Sequence, residues 1–331
     1  MEGNLAAVIL AAGMGTRMKS RRPKVMHCLL GAPLISHVIG VVEGAGIASG
    51  HQIVVAGHGR QMVEKYLAGM GVRVAYQAEQ LGTGHAVLCA EKAFRGFNGQ
   101  MLIICGDTPL FKPETLKAFI NAHENSEGDL SILSAEFDEP AGYGRIVRDS
   151  QGRLTAVVEE KDAGPSIKKI REVNTGTYLV RASVIFHLLE QVGCNNAQGE
   201  YYLTDTVELG LKAGLNVNAF KFAGPEEALG VNSRYQLSVA EGIMLSRIRT
   251  AHMEAGVTIN MPETVYIEPS VRIGADALIS PPCVLKGRTE IGGGSVIGPF
   301  SYLEDFICGP GTVIEPYSRK SAGRVSAGYC T

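Results

Sequence analysis

The sequence predicts an α/β protein whose last part is a left-handed parallel β-helix. Short apolar runs alternate with helical patterns over about the first hundred residues, which is typical of a parallel sheet covered by helices. A six-residue repeat near the end is typical of a parallel β-helix. The 331 residues allow more than one core, and we expect a sheet domain over 1–231, a linker helix over 232–255 and a β-helix domain over 256–331.

Composition and charge exclude several classes of protein. Hydrophobic residues make up 45% of the chain and charged residues 19%, which indicates a globular protein and not a disordered one. The 31 basic residues balance 33 acidic ones, so we expect no nucleic-acid or membrane partner. Neither a membrane span nor a secretory signal is present in the pattern. Seven scattered cysteines without a Cys-x-x-Cys pair predict reduced thiols in a cytoplasmic protein, without zinc or disulfides.

The first part should form a parallel sheet with helices on both faces. The apolar runs predict strands over 8–10, 53–56, 72–76 and 101–105, and the periodic stretches predict helices over 34–43, 61–68 and 84–94. Ligands of such sheets bind at the carboxyl ends of the strands. Polar loops at those ends are therefore the candidate sites.

The loop after the first strand has the composition of a phosphate site. Gly13 and Gly15 let the backbone turn tightly and approach an anion, while Arg17 and Lys24 supply positive charge. Taken alone, the loop also fits an ordinary turn of an α/β protein. It matches neither the dinucleotide fingerprint, which needs glycine or alanine where Met18 stands, nor the Walker loop, which needs a glycine before its lysine.

Two more strand ends carry polar side chains. Residues 77–85 combine amides with glycines and could bond the edge of a nucleobase, or could simply cap the next helix through Thr83. Asp107 follows the fourth strand after a single glycine, Gly106. It could hold a hard divalent cation beside a phosphate loop, or serve as a helix cap or turn residue.

The middle of the chain has longer strand patterns. Strands are predicted over 130–137, 154–158 and 172–180, with a tight turn at 142–146 and a break at 174–176. These predict a mixed-sheet lobe laid over the first half, with a second substrate pocket. Thr204 or Asp205 should cap a following helix. An amphipathic connecting helix should then bury a row of apolar residues, namely Leu237, Ala240, Met244, Ile248 and Ala251.

A six-residue repeat begins beyond Gly256, and two rows of residues follow it. The first row is Val265, Val271, Ala277, Cys283, Thr289, Ser295 and Ser301. The second row is Ile267, Ile273, Ile279, Leu285, Ile291, Ile297 and Leu303. A β-sandwich would alternate without this period, so the rows predict about three turns of a left-handed β-helix before Pro316. Residues 317–331 lose the period, and we expect a frayed end there.

Several motifs in order resemble one family. They are Leu10-Ala-Ala-Gly-x-Gly-Thr-Arg-Met18 with Pro23-Lys24, the stretch 77–86, Gly142-Tyr-Gly-Arg145, Glu159, Asn174-Thr-Gly176, Gly199-Glu-Tyr-Tyr-Leu-Thr-Asp205 and Gly230-Val-Asn232. From about residue 5 to 316 the chain resembles the bacterial bifunctional N-acetylglucosamine-1-phosphate uridyltransferase/glucosamine-1-phosphate acetyltransferase family. The resemblance implies a Rossmann-like nucleotidyltransferase domain with a mixed sheet, a linker helix and hexapeptide repeats.

The resemblance also implies a role for each matching residue. Nucleotide binding falls to Leu10, Ala11, Ala12, Gly13, Gly15, Thr16, Gln77, Gln80, Gly82 and Thr83. The amino sugar would be held by Gly144, Glu159, Asn174 and Thr204. Asp107 and Asn232 would ligate Mg²⁺, and Arg17 and Lys24 would be the catalytic cations. The family often carries tyrosine where Cys105 stands, which puts the contact there in doubt.

The implied reaction agrees with this set of residues. An oxygen of N-acetylglucosamine-1-phosphate attacks the α-phosphorus of UTP, and pyrophosphate leaves. The attacking phosphate is already ionised, so positioning and charge neutralisation suffice and no nucleophilic Ser, Cys or His is expected. In the family, later turns of the β-helix support acetyl transfer with basic residues and a histidine. This chain has no histidine after His252, so we expect no acetyltransferase activity.

A homotrimer assembled through the β-helix is also expected. Two alternatives remain open at this point. One is a relative that uses another sugar or base, and the stretches 77–84 and 199–205 argue against it. The other is a non-catalytic trimeric scaffold, which the joint presence of Arg17, Lys24, Asp107 and Asn232 disfavours.

Overall fold

A computed structural model describes residues 4–325 and 329–330 and confirms the predicted fold class. The chain divides into two compact units. The first takes the residues up to His27 together with Pro33–Gln236, and the second takes Cys28–Ala32 together with Leu237 onward. The predicted domains over 1–231, 232–255 and 256–331 stay a prediction, because compact units need not coincide with independently folding domains.

The first unit is built on one nine-stranded mixed sheet. Its strands are β1 Leu5–Ala11, β2 Gln52–Ala56, β3 Arg73–Tyr76, β4 Gln100–Cys105, β5 Leu130–Glu136, β6 Arg145–Arg148, β7 Leu154–Val158, β8 Glu172–Arg181 and β9 Val217–Lys221. Their order is β9-β5-β8-β4-β1-β2-β3, with β6 paired to β8 and to β7. The neighbours β4, β1, β2 and β3 run parallel, whereas β8 runs antiparallel to β4 and β5.

The predicted separate lobe is therefore wrong: the middle strands extend the same sheet. Strand β8 joins the two halves, because it pairs with both β4 and β5 and carries a register shift between Asn174 and Thr177. That bulge lies at the predicted break. The predicted turn at 142–146 ends early, since Arg145 and Ile146 already belong to β6.

Helices cover both faces of this sheet. They are α1 Leu34–Gly44, α2 Arg60–Leu67, α3 Thr83–Leu88, α4 Pro113–Asn125, α5 Ala182–Leu189 and α6 Asp205–Lys212, and a long helix α7 Arg234–Glu254 follows. Two apolar cores result, one on each face of the sheet. Successive residues of β1 point to opposite faces, so that Val8 belongs to one core and Ile9 to the other. Helix α3 is shorter than predicted, because the Ala90 N–H bonds the carbonyl of Val87 and tightens the last turn.

Two further sequence expectations for helices fail in part. Of the apolar row predicted for α7, only Ala240 is buried, and Leu245 is the other buried residue of that helix. Thr204 does occupy the N-cap position of α6, but its side chain makes no capping bond there. Among the described residues, no helix has the length and apolar character that crossing a membrane requires.

The second unit contains the parallel β-helix. Its strands are Thr258–Ile259, Val265–Ile267, Arg272–Ile273, Leu278–Ile279, Cys283–Lys286, Glu290–Ile291, Val296–Ile297, Tyr302–Cys308, Val313–Ile314, Arg319–Val325 and Tyr329–Cys330. Every residue of both predicted rows is buried and faces the interior. Polar members of the first row satisfy their hydroxyls locally, because the Ser301 and Thr289 hydroxyls donate to the carbonyls of Gly298 and Lys286, at 2.6 Å in both cases.

The predicted frayed end is wrong for residues 317–325. Lys286 pairs with Glu304, 18 residues further on, but Glu290 pairs with Ile307, only 17 residues further on. One residue is therefore missing from the third turn, and the inward row continues one position earlier through Phe306, Thr312 and Ser318. The six-residue period is shifted and not lost. Of the predicted end, residues 326–328 and 331 lie outside the described part.

Replacing Ile279 by alanine should destabilise the β-helix strongly. The Ile279 side chain is fully buried in the row, so its loss leaves a cavity and should cost about 3 kcal/mol of unfolding free energy. Its neighbour Leu278 on the same strand is half-buried and gives the matched control, Leu278→Ala, with an expected cost of roughly 1 kcal/mol. Urea unfolding followed by circular dichroism measures both; equal costs would contradict the inward orientation of the row.

Candidate active site

The loop after β1 needs glycine for its conformation. Gly15 has a φ of 60°, in the left-handed region, and a Cβ there would lie 2.7 Å from the Cβ of Lys24. The buried Met18 side chain anchors the loop, and its N–H donates to the Gly15 carbonyl at 2.9 Å. Gly15 therefore lies close against Lys24, and phosphate binding by the loop stays a prediction. Arg17, in contrast, is exposed to solvent.

Lys24 connects the two predicted metal ligands. Its ammonium forms an ion pair with the Asp107 carboxylate and donates to Asn232 Oδ1 at 2.8 Å. The ion pair is partly buried, with side-chain exposures of 16% for Lys24 and 14% for Asp107. Asp107 is therefore not a helix cap: α4 begins only at Pro113, and the carboxylate faces Lys24.

Two cavities meet at this ion pair. The loop cavity, of about 460 Å³, opens over the glycine loop, and the inner cavity, of about 190 Å³, lies on its other side. They share four lining residues, which are Leu10, Thr83, Cys105 and Asp107. Two ligands bound in these cavities would therefore meet beside Asp107.

The predicted residues fall into these cavities in two groups. The loop cavity is lined by Lys24 and by all ten predicted nucleotide-binding residues, namely Leu10, Ala11, Ala12, Gly13, Gly15, Thr16, Gln77, Gln80, Gly82 and Thr83. The inner cavity is lined by the four predicted sugar-binding residues and by Asn232. Arg17 lines neither cavity, so its catalytic role stays a prediction that requires its side chain to move.

The loop that carries Gln77 is braced by its own amides. Gln77 is buried, and its Nε2 donates to the Gly82 carbonyl at 3.0 Å and lies 3.0 Å from His85 Nδ1. Gln80 Nε2 donates to the Gln77 carbonyl at 3.3 Å. These bonds shape the wall of the loop cavity and leave the Gln77 amide nitrogen already engaged.

The same loop is joined to the segment before α6. Gly82 has a φ of 111°, and a Cβ there would lie 2.6 Å from the Tyr201 carbonyl oxygen, so no other residue fits. The Thr83 hydroxyl accepts the Leu203 N–H at 3.0 Å. The alternative prediction, that Thr83 only caps the next helix, is wrong. Thr83 is itself the first residue of α3, and Gly82 is the N-cap.

Glu159 is the buried carboxyl group of the inner cavity. Its Oε1 accepts a hydrogen bond from the Thr204 hydroxyl at 3.1 Å. Burial raises the pKa of Glu159 above its ordinary value, and the Thr204 bond opposes that shift. Thr204 therefore turns its hydroxyl toward Glu159 and not toward the end of α6.

Asn174 holds the opposite wall of the inner cavity. Its Nδ2 donates to the Tyr178 hydroxyl at 2.8 Å, and its Oδ1 accepts the Gly176 N–H at 2.9 Å. Burial keeps the pKa of Tyr178 well above its usual value, so this hydroxyl stays neutral. The bulge in β8 thus fixes the Asn174 amide beside the cavity.

Cys105 lies where the two cavities meet, and its thiol is unreactive. Burial raises the pKa of Cys105 to about 12, and the Asp107 charge adds to the effect. Gly176, with a φ of 74°, passes so close that a Cβ would lie 2.8 Å from the sulfur. The Cys105 thiol is therefore protonated at neutral pH, which disfavours a nucleophilic role for it.

The donor set at Asp107 and Asn232 suits a hard divalent cation that a substrate helps to hold. A carboxylate and an amide oxygen converge on the Lys24 ammonium, so the position already accommodates positive charge. Among the described residues, no group of three or more His, Cys, Asp or Glu side chains forms a metal cage. Mg²⁺ is commonly bound by one or two protein ligands with phosphates and waters.

Several residues that line the cavities received no role from the sequence, and three of them carry polar side chains of functional interest. Tyr143 and Tyr178 line the inner cavity, and Glu200 lines the loop cavity. Tyr143 and Glu200 stand within motifs noted from the sequence, whose neighbours Gly144 and Thr204 alone received roles. Tyr178 could have been found from β8, because it follows Asn174 by four residues across the bulge.

Comparisons with known proteins identify the family of the chain. A family model described as a MobA-like NTP transferase domain matches residues 7–173. "Bifunctional protein GlmU" of Caldanaerobacter subterraneus subsp. tengcongensis is 47% identical over 307 residues, covering 93% of this chain and 66% of the relative. That of Halalkalibacterium halodurans is 44% identical over 330 residues, covering 98% and 71%. The chain spans about two thirds of the length of these curated relatives.

A solved structure shares the fold. It is a Bacillus anthracis protein assigned as a glucose-1-phosphate thymidylyltransferase, in complex with a sucrose. It is 20% identical, covers 72% of this chain and 94% of its own, and has a TM-score of 0.60. At this identity the likeness shows the fold alone, whereas the curated relatives show the family. The chain belongs to the family of bifunctional GlmU proteins, and its first part is an NTP transferase domain.

Proposed function

We propose that the chain is a UTP:N-acetylglucosamine-1-phosphate uridylyltransferase, which forms UDP-N-acetylglucosamine for cell-wall precursor synthesis. The observation that carries the proposal is the junction of the two cavities at Asp107, with Lys24 and Asn232 bonded there. A nucleotide in the loop cavity and a sugar phosphate in the inner cavity would bring their phosphates together at this point. Membership of the family of bifunctional GlmU proteins and the NTP transferase domain support the same assignment.

The reaction needs charge neutralisation more than acid–base chemistry. A phosphate oxygen of the sugar phosphate attacks the α-phosphorus of UTP in line, and the bond to pyrophosphate breaks. Because that phosphate is already ionised, no general base is required. The Lys24 ammonium lies at the junction and stabilises the charge that develops on the phosphate oxygens. Arg17, which is exposed beside the loop, supplies further charge in this proposal.

A divalent cation belongs to the same proposal. Asp107 and Asn232 would hold Mg²⁺ through the two oxygens that the Lys24 ammonium bonds in this structure. A bound Mg²⁺ supplies neutralisation of phosphate charge. Family membership supports a divalent metal in general, and magnesium is the finer assignment that we propose.

A substrate panel tests the proposal. Pyrophosphate release is measured for UTP, dTTP, GTP and ATP, each paired with N-acetylglucosamine-1-phosphate, glucosamine-1-phosphate and glucose-1-phosphate. We expect UTP with N-acetylglucosamine-1-phosphate to have the highest kcat/KM. A higher value for another pair would identify a relative with a different sugar or base, and silence throughout would favour the scaffold alternative.

Location and assembly complete the proposal. We propose a cytoplasmic location, which is supported by the absence of a disulfide at Cys28, Cys89, Cys105, Cys194 and Cys283. We also propose a homotrimer built through the β-helix, which sedimentation would test. The absence of acetyltransferase activity stays a prediction, checked by adding acetyl-CoA and glucosamine-1-phosphate.

Replacing Glu159 by glutamine should change both pH dependence and stability. Because burial raises the pKa of Glu159, the wild-type KM for the sugar phosphate should begin to rise at a pH above the 4.5 that is ordinary for glutamate. A raised pKa in the folded state also means that the buried charge costs stability at neutral pH. Glu159→Gln should therefore raise the melting temperature at pH 7 and raise KM.

The KM of Glu159→Gln for the sugar phosphate should no longer depend on pH in that range, because glutamine does not titrate. The matched control is Glu114→Gln, at an exposed position in the first turn of α4, which should change neither quantity. If the KM of Glu159→Gln still rises as the pH falls through that range, Glu159 is not the titrating group.

A further inference from the structure

Tyr143 connects the wall of the inner cavity to the segment that carries Asn232. Its ring lines the inner cavity, and its hydroxyl accepts the Gly230 N–H at 3.2 Å. Gly230 lies two residues before Asn232. This bond thus links the loop that carries Gly144 to the segment that carries a predicted metal ligand.

The Tyr143 side chain is held firmly at its base. The fully buried Arg145 guanidinium donates to the Tyr143 carbonyl and is itself paired with Glu160 at 2.8 Å. The Phe137 ring packs edge-on against the tyrosine ring, with centroids 4.8 Å apart and planes at 79°. A ring fixed in this way can restrain the group that its hydroxyl contacts.

Gly230, at the other end of this link, lies close to both predicted metal ligands. A Cβ built on Gly230 would lie 3.3 Å from Asn232 Nδ2 and 3.8 Å from Asp107 Oδ2. The next residue, Val231, donates its N–H to the Asp107 carbonyl at 2.8 Å. A shift of Gly230 would therefore displace Asn232 relative to Asp107.

We propose that Tyr143 is a positioning residue that couples the inner cavity to Asn232 through its bond to Gly230. The inference deepens the proposed function, on which it rests. A sugar phosphate that contacts the 142–144 loop restrains Tyr143, and Tyr143 in turn keeps Asn232 Oδ1 beside Asp107. Tyr143 acts through Asn232, and its hydroxyl has no role at the reacting atoms.

The test is Tyr143→Phe, which keeps the ring and removes only the acceptor. Mn²⁺ binding to the whole chain, in N-acetylglucosamine-1-phosphate without nucleotide, is measured by electron paramagnetic resonance. Loss of one hydrogen bond should raise the dissociation constant about fivefold. The KM for the sugar phosphate should stay within about twofold while kcat falls about fivefold. The matched control, Tyr66→Phe on α2, lies outside both cavities and should change none of these.

A double-mutant cycle with Asn232→Ala separates positioning from a general loss of stability. If Tyr143 acts through Asn232, Tyr143→Phe should cost less than about twofold in kcat/KM once Asn232 is absent. Unchanged Mn²⁺ binding in Tyr143→Phe, or a full fivefold cost in the Asn232→Ala background, would overturn the proposal. Failure of the proposed function would show instead as no turnover by the wild-type chain, and the Mn²⁺ titration would still decide the role of Tyr143.

Discussion

Replacing Asp107 by alanine should lower kcat by about 100- to 1000-fold and leave the fold intact. Of the four residues that line both cavities, only Asp107 carries a charge. Its carboxylate pairs with Lys24, and its backbone carbonyl accepts the N–H of Val231, next to Asn232. In the proposed site, a divalent cation would then lack its charged protein ligand, and the Lys24 ammonium would lack its ion-pair partner. Both losses act on the charge that develops during phosphoryl transfer.

The fold should survive because the Asp107 side chain takes little part in it. The carboxylate bonds Lys24, while the bond from Val231 is made to the backbone carbonyl, which alanine keeps. Melting temperature and pyrophosphate release are measured together. Asp138→Ala removes a surface carboxylate that is 92% exposed and serves as the matched control. Turnover of Asp107→Ala near the wild-type rate with Mg²⁺ would exclude Asp107 as a metal ligand.

The six-residue rows show what a sequence can and cannot predict about this fold. Each row residue lies in the interior, because an inward side chain at every sixth position is the physical requirement of a β-helix. The deletion between Glu304 and Ile307 defeats a fixed period, although Phe306 and Thr312 remain inward. A six-residue period identifies the inward positions only as long as every turn of the β-helix has the same number of residues.

The sheet shows a limit of a different kind. Strand patterns located β5, β7 and β8 within a residue or so, but patterns say nothing about which strands pair. Pairing of β8 with both β4 and β5 merges the expected lobe into one sheet. Strand pairing depends on contacts distant in the sequence, which no local window contains.

The candidate site was predicted as a set of residues but not as a geometry. Motif spacing and family resemblance named Lys24, Asp107 and Asn232, and the structure brings them into contact. Neither could reveal that the Lys24 ammonium lies between the other two, nor that Tyr143 reaches Gly230. Such bonds join segments far apart in the chain, so they follow from tertiary structure and not from motifs.

Replacing Lys24 by methionine should have two effects of opposite sign. Turnover should fall by about 100-fold, because the proposed stabilisation of the phosphate oxygens by the ammonium is lost. Mn²⁺ binding without nucleotide should become about tenfold tighter, because the ammonium no longer bonds the Asp107 and Asn232 oxygens and no longer has to be displaced. A variant that binds the cation better yet reacts more slowly is not explained by partial unfolding.

Two further variants complete this experiment. Lys65→Met removes an exposed lysine of α2 and should leave both Mn²⁺ binding and turnover unchanged. Lys24→Arg keeps the positive charge, so its Mn²⁺ affinity should stay close to that of the wild type, while its larger planar group should still reduce turnover. Weaker Mn²⁺ binding in Lys24→Met would mean that the ammonium holds Asp107 and Asn232 in place for the cation. Stronger binding would mean that Lys24 and the cation compete for the same two oxygens, so that Lys24 must leave them before it can meet the phosphates of UTP.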